Sequence, residues 1–188
     1  MNKKMKNTLE DIYLFLCDTP SDINEHLPVL KELASQSDSV VEMGVRWVVS
    51  TFALLAGKPK SLTSMDIQDP NKYNNRIDIA YDFAKKEEIN FEFILADTTK
   101  IEIDPCDFLF IDTWHVYDQL KKELDLHGNK AKKFLAFHDT VTFGEKGEGG
   151  SHKGLMLAID EFLKENPHWK VKKHYTNNNG LLVLERTS

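Results

Sequence analysis

At the start of the chain, apolar residues recur at helical spacing: Leu9, Ile12, Tyr13 and Leu16 share one face, and Ile23, Leu27, Leu30 and Ala34 share a second. Thr19-Pro20-Ser21 separates the two patterns, so residues 8–34 predict two helices, closed by a polar break at 35–39. Beyond the break the period changes. Short apolar runs at 40–45, 61–67, 91–96, 107–111 and 134–137 alternate with helical patterns at 47–56, 73–88, 116–127 and 153–165. Each parallel strand connection must cross the sheet, and helices supply the crossovers, so this alternation predicts a parallel sheet covered on both faces. The last helix is the clearest, with Leu155, Ala158, Ile159, Phe162 and Leu163 on one stripe and Pro167 to stop it. Two further strands, at 169–175 and 181–185, flank Thr176-Asn177-Asn178-Asn179-Gly180, whose asparagines and glycine tolerate positive φ and predict a tight reversal. The expected fold is α/β: a Rossmann-like, doubly wound, mostly parallel seven-stranded sheet with an antiparallel C-terminal hairpin strand and two N-terminal helices. One domain spans 1–188, with 1–37 as a helical extension and 38–188 as the core.

A length of 188 residues suits one domain with an ordinary core. With 41% hydrophobic and 29% charged residues the chain has a globular balance, so packing must supply the fold. The net charge is −6 and the lysines are scattered, which gives no footprint for nucleic acid and points to a small-molecule partner. Cys17 and Cys106 form no CxxC pair, which suits a reducing compartment. The N-terminal MNKKMKNTLEDIYLF turns acidic before any signal-like apolar run, and no stretch approaches the ~20 apolar residues of a membrane span. The expectation is a cytoplasmic protein without a membrane partner.

Ligands of an open parallel sheet bind beyond the carboxyl ends of its strands. Those ends carry Glu42 and Gly44, then Asp66, Asp97, Asp112, and finally His138-Asp139. One such acid is equally well a helix cap or a solvated turn, but acids at five successive ends point to a site. Asp66 lies 22 residues beyond Gly44, close to the ~20-residue offset at which a carboxylate meets ribose hydroxyls. The first turn, GVRWVVST, has one glycine and a bulky Trp47-Val48-Val49, which argues against a dinucleotide pyrophosphate. Glu42 beside that turn instead suits a ligand bearing an amine. The segment 144–154 is glycine-rich and polar, and reads as a mobile loop. Its His152 could enter the site on closure, although such a histidine is more often solvated. Trp114 either walls the pocket or packs beneath that loop.

In chain order, VVEMGVRWVVSTFALL, SLTSMDI, FILADTT, CDFLFIDTWHVYDQLKKEL, FLAFHDT and GLLVLER resemble the motifs of class I S-adenosylmethionine-dependent methyltransferases over roughly residues 23–186. More narrowly, the chain is similar to the branch of metal-dependent sugar and macrolide O-methyltransferases and cephalosporin hydroxylase-like proteins, where an Asp-x-x-His after the fourth strand accompanies an acid pair after the fifth. The resemblance implies that Glu42 and Gly44 flank the methionine part of the cofactor, that Asp66 holds the ribose and that Asp97 faces the adenine. It further implies that Asp112, bordering the cofactor, and Asp139 are metal ligands, and that His115 is the general base. Two positions depart from the pattern: Val48 replaces a second glycine, and His138 replaces the first acid of the pair. His138 is then either a third metal ligand or a core histidine bonded to the backbone. Mg²⁺ or Mn²⁺ is expected, with the imidazole shifting preference towards Mn²⁺, Fe²⁺ or Zn²⁺.

The activity implied is metal-assisted methyl transfer from S-adenosylmethionine to a hydroxyl of a sugar or diol-like small molecule. Two alternatives stay open. One is a binding module or partner subunit that keeps the fold without turnover, for which Val48 speaks; the other is a metal-dependent, hydroxylase-like enzyme. The N-terminal helices either cover the substrate mouth or pair across a two-fold axis as a homo-oligomer.

Overall fold

The computed structural model describes residues 8–72 and 76–187. Helix α1 (Leu9–Asp18) begins at Thr8, whose hydroxyl accepts from the Asp11 amide while the Asp11 carboxylate accepts from the Thr8 amide, a reciprocal cap for two otherwise unpaired N–H groups. A short 3₁₀ turn, Asn24–His26, leads into α2 (Leu27–Ser35). Both helices pack on α3 (Val49–Ala56). Their Leu9, Leu27 and Leu30 are buried in the same apolar cluster as Phe52, Leu62 and Phe108. The N-terminal extension is thus a layer of the main core.

The sheet comprises β1 (Ser39–Met43), β2 (Ser61–Asp66), β3 (Asn90–Leu95), β4 (Cys106–Ile111), β5 (Ala131–His138), β6 (Trp169–Tyr175) and β7 (Leu181–Arg186), in the order β3-β2-β1-β4-β5-β7-β6. The first five pair in parallel, and β7 inserts antiparallel between β5 and β6. Helices α4 (Arg76–Lys86), α5 (Tyr117–His127) and α6 (Leu155–Glu165) complete the winding. One face of the sheet is buried with α1 to α4, and the other around Leu120, Leu124, Ile159 and Phe162 of α5 and α6. The order reverses between β1 and β4, so their carboxyl ends open a crevice for ligand. Among the described residues no helix is long and apolar enough to cross a membrane.

Element limits differ from the sequence expectation in physically informative places. The first strand stops at Met43 and the helix expected from 47 starts at Val49, because Gly44, Arg46 and Val48 have positive φ (90°, 39° and 60°) and form an irregular turn. The strand expected at 134–137 begins at Ala131, its start masked by the exposed pair Lys132-Lys133. The first residues of the helix expected at 73–88 lie outside the described residues. The segment 144–154 carries structure where a mobile loop is expected: Lys146 and Lys153 form an antiparallel bridge, and Gly147 N and Gly154 N donate to His152 O and Glu145 O.

Candidate active site

A cavity of about 700 Å³ opens at the carboxyl ends of the parallel strands. This is within the roughly 300–1,000 Å³ usual for small-molecule and cofactor sites. Gly44, Asp66, Asp97, Asp112, His115 and Asp139 all line it. Trp47 and Trp114 contribute aromatic surface, and Asp22 and Ile23 bring in the segment between α1 and α2. His138 lies behind, beside a small recess shared with Asp112 and His115.

The turn after β1 approaches β4 closely: a Cβ on Gly44 would lie 1.9 Å from the Asp112 carbonyl oxygen. Asp66 holds this turn, accepting from the amides of Val45 (2.8 Å) and Arg46 (3.0 Å) with one oxygen and from Gln68 (2.8 Å) with the other. Val48 adopts a left-handed conformation (φ 60°, ψ 28°), costly for a β-branched residue. Its side chain is buried in the core and does not line the cavity.

On the far side of the cavity, an ion pair with Lys100 (2.7 Å) and hydrogen bonds from Thr99 hold the Asp97 carboxyl below its ordinary value. The neighbouring Thr98 is fixed from α5, donating its hydroxyl to the buried Glu123 and accepting at its carbonyl from His127 Nε2 (2.8 Å).

Glu42 overturns its expected role. It lies inside β1, is 0% exposed and does not line the cavity. Its carboxylate instead accepts from the hydroxyls of Ser50, Thr51 and Ser64, tying α3 and β2 to β1. Burial pushes its pKa up from 4.5 to about 7, only partly opposed by the three hydroxyls. Because the folded state holds this proton more tightly than the unfolded chain, stability falls as pH rises from about 4.5 through about 7 and stays lowered above it. A Glu42→Gln variant, neutral at every pH, is therefore expected to gain roughly 2–3 kcal/mol relative to wild type between pH 5 and pH 8. Thermal unfolding at both pH values checks this; a pH-independent difference would contradict it.

Asp112 directly follows β4, His138 is the last residue of β5 and Asp139 follows it, so adjacent parallel strands deliver all three side chains to one point. One donor atom from each lies within 4.8 Å of the others. His138 Nε2 is 3.3 Å from the carbonyl oxygen of Asn178, which can only accept, so the proton belongs on Nε2. Nδ1 then faces Asp112 Oδ1 (3.5 Å) and Asp139 Oδ2 (3.6 Å). A metal-ligating imidazole is commonly oriented this way, with its second nitrogen donating to a backbone carbonyl. Asp139 has φ 59°, and its Oδ1 is buried without a hydrogen-bond partner. An unpaired carboxylate oxygen beside a second carboxylate and an imidazole nitrogen is a donor set that a divalent cation would satisfy.

His115 approaches the same carboxylates, with Nε2 2.8 Å from Asp139 Oδ2 and 3.3 Å from Asp112 Oδ1. Its Nδ1 lies 3.2 Å from Glu148 Oε2, and its ring stacks on Phe143 with centroids 4.8 Å apart. Burial pulls His115 and His138 down, but hydrogen bonds to Asp112 and Asp139 outweigh it and hold each at about 10. Burial alone would raise both aspartates; the two histidines hold them below the usual carboxylate range.

One neighbour of the site, Glu148, carried no sequence signal. Glu148 reaches His115 because its own amide donates to the His115 carbonyl (2.9 Å), which seats the hairpin beside the cavity. His152 packs edge-on against Trp114 and does not line the cavity, whereas Trp114 does.

No protein-family model matches the chain, and no curated protein does. Solved structures match along almost the whole chain. An O-methyltransferase from Bacillus cereus in complex with S-adenosylhomocysteine (SAH) is 15% identical, with 98% of this chain and 93% of that one covered at a TM-score of 0.65. TomG, an O-methyltransferase from Streptomyces achromogenes involved in tomaymycin synthesis and solved with SAM, is 12% identical, with 98% and 92% covered at 0.59. The SAH-bound methyltransferase PaMTH1 of Podospora anserina is 14% identical, with 97% and 88% covered at 0.60. The chain therefore has the Rossmann-like methyltransferase fold.

Proposed function

We propose that the protein transfers a methyl group from S-adenosylmethionine to a hydroxyl of a sugar or diol-like small molecule, with a divalent cation held by Asp112, His138 and Asp139. The observation that carries this is the meeting, in one cavity, of the Gly44 turn, Asp66 and Asp97 with Asp112, Asp139 and His115. When bound, the cofactor supplies an electrophilic methyl and the cation lowers the pKa of a coordinated hydroxyl.

The chain's own residues do the rest. Asp66 retains capacity to accept from ribose hydroxyls beside the turn amides it already binds, and Asp97 faces the base. With Asp112 and Asp139 engaged by a cation, the carboxylates that hold the His115 proton would be drawn away from it, and its Nε2 would then take the hydroxyl proton, with Glu148 hydrogen-bonded at Nδ1 to hold the ring. Mg²⁺ or Mn²⁺ fits the carboxylates, and the His138 nitrogen favours Mn²⁺. The lining carries Asp22, Asp66, Asp97, Asp112, Asp139 and Glu148 against Arg46, which favours uncharged or cationic acceptors over phosphorylated ones. Catalysis is preferred over a binding module without turnover because the Val48 side chain lies in the core rather than in the cofactor space.

Calorimetry with SAH and MnCl₂ tests the proposal: both bind, and if neither does at millimolar concentration the proposal fails. His115→Gln is expected to lower methyl transfer to a panel of sugars and diols by on the order of 10²–10⁴-fold. SAH affinity should stay unchanged in that variant; parallel loss of both would assign His115 to cofactor binding instead.

A further inference from the structure

The carbonyl that orients His138 is held by the N-terminal extension. Asn178 lies in the turn between β6 and β7, at φ 41°, and its side chain is bonded on both sides: Oδ1 accepts from the Glu25 amide (3.1 Å) and Nδ2 donates to the Ser21 carbonyl (2.9 Å). Asn177 Nδ2 adds a bond to Glu25 Oε2 (2.6 Å). His26 completes the clamp, its Nε2 donating to the carbonyls of Asn177 (3.0 Å) and Asn178 (3.1 Å). The Asn178 oxygen thus receives one bond from His26 and one from metal-site His138, filling both its lone pairs.

His26 is an expensive residue for a purely structural position. It is 1% exposed, and its Nδ1 is buried with no hydrogen-bond partner. Its ring stands edge-on to His138 (5.6 Å) and tilted to Tyr175 (6.0 Å), surroundings in which phenylalanine would pack without an unpaired polar atom. What phenylalanine lacks is the N–H to Asn178.

We infer that His26 is a positioning residue of the metal site: through the Asn178 carbonyl it sets the ring of His138, and so couples the N-terminal helices to cation affinity. This rests on the metal-site reading above. Partners one step beyond a ligand usually contribute about 10–100-fold in metal affinity. The coupling therefore predicts a cation-specific loss when the clamp is opened, with the cofactor arm of the cavity unaffected.

The test is a MnCl₂ titration of the full chain by calorimetry, with SAH affinity measured in parallel. His26→Phe keeps the ring and removes the donor; because His26 acts through the outer partner, it is expected to weaken Mn²⁺ by up to about tenfold and leave SAH binding in place. His26→Gln, whose amide can donate to the same carbonyls, should restore most of that affinity. Asn178→Gly keeps a backbone that favours positive φ while freeing the turn from Ser21 and Glu25, and should also weaken Mn²⁺. Wild-type Mn²⁺ affinity in folded His26→Phe, or equal loss in His26→Gln and His26→Phe, overturns the inference. If His26→Phe does not fold, His26→Leu, which also lacks the donor, takes its place, and wild-type Mn²⁺ affinity in that variant overturns the inference. Absence of Mn²⁺ binding by the wild-type protein is a different outcome, which removes the metal-site reading itself and the inference with it.

Discussion

Asp112→Ala is expected to abolish Mn²⁺ binding and methyl transfer while the sheet still folds. The substitution removes one of three donors and also the carboxylate that both His115 Nε2 and His138 Nδ1 face. Loss of a direct ligand should exceed the roughly 10–100-fold cost of losing an outer partner, which takes affinity below a calorimetric limit. The two imidazoles answer by shedding protons: without Asp112 each loses one of the carboxylates that oppose its desolvation, leaving Asp139 for both and Glu148 for His115, so their pKa values fall from about 10. Because they can become neutral, the fold is spared the full cost of an uncompensated buried charge. Asp112→Asn, which keeps the shape, should lose Mn²⁺ as completely. Retention of Mn²⁺ affinity by either variant would remove Asp112 from the site.

Gly44→Ala should be the most damaging small substitution in the cavity. The added carbon would sit 1.9 Å from the Asp112 oxygen and 2.5 Å from its carbonyl carbon, at a φ of 90° that L-residues rarely adopt. Neither backbone can easily retreat, since Gly44 N donates to Met65 O and Asp112 N donates to Met43 O, both at 2.8 Å. Overpacking and left-handed strain together should cost on the order of 4 kcal/mol. For a domain of this size that lowers the melting temperature by about 8–16 °C. The displaced Asp112 should carry Mn²⁺ affinity away with it. Gly149→Ala is the control, with positive φ but nothing within 4 Å of the added carbon, and should cost far less. Equal destabilisation by the two variants would contradict the close approach.

Those two residues are legible in the sequence, because strand ends of a parallel sheet are marked by where apolar runs stop. Asp66, Asp97, Asp112 and Asp139 follow from the same rule, and all of them line the cavity. Glu42 shows where the rule runs out. A strand-end position does not say whether a side chain faces ligand or core, and the deciding hydroxyls of Ser50, Thr51 and Ser64 lie on other elements. The early strand end at Met43 was equally hidden, since the apolar Val45 and Val48 extend the pattern through a turn whose shape is set by backbone dihedrals. Glu148 and the 144–154 hairpin depend on main-chain bonds to His115 and Lys153, which no side-chain periodicity records. His26 and Asn178 meet across 152 residues of chain, a separation at which only the folded topology brings them together.

Diffraction from crystals soaked with SAH and MnCl₂, with the metal located by its anomalous scattering, tests the central claim most directly. An anomalous peak bonded by Asp112, His138 and Asp139, with SAH lying along Gly44, Asp66 and Asp97, is the predicted result. SAH in the cavity with no peak at those three residues, or a peak held elsewhere, would contradict it.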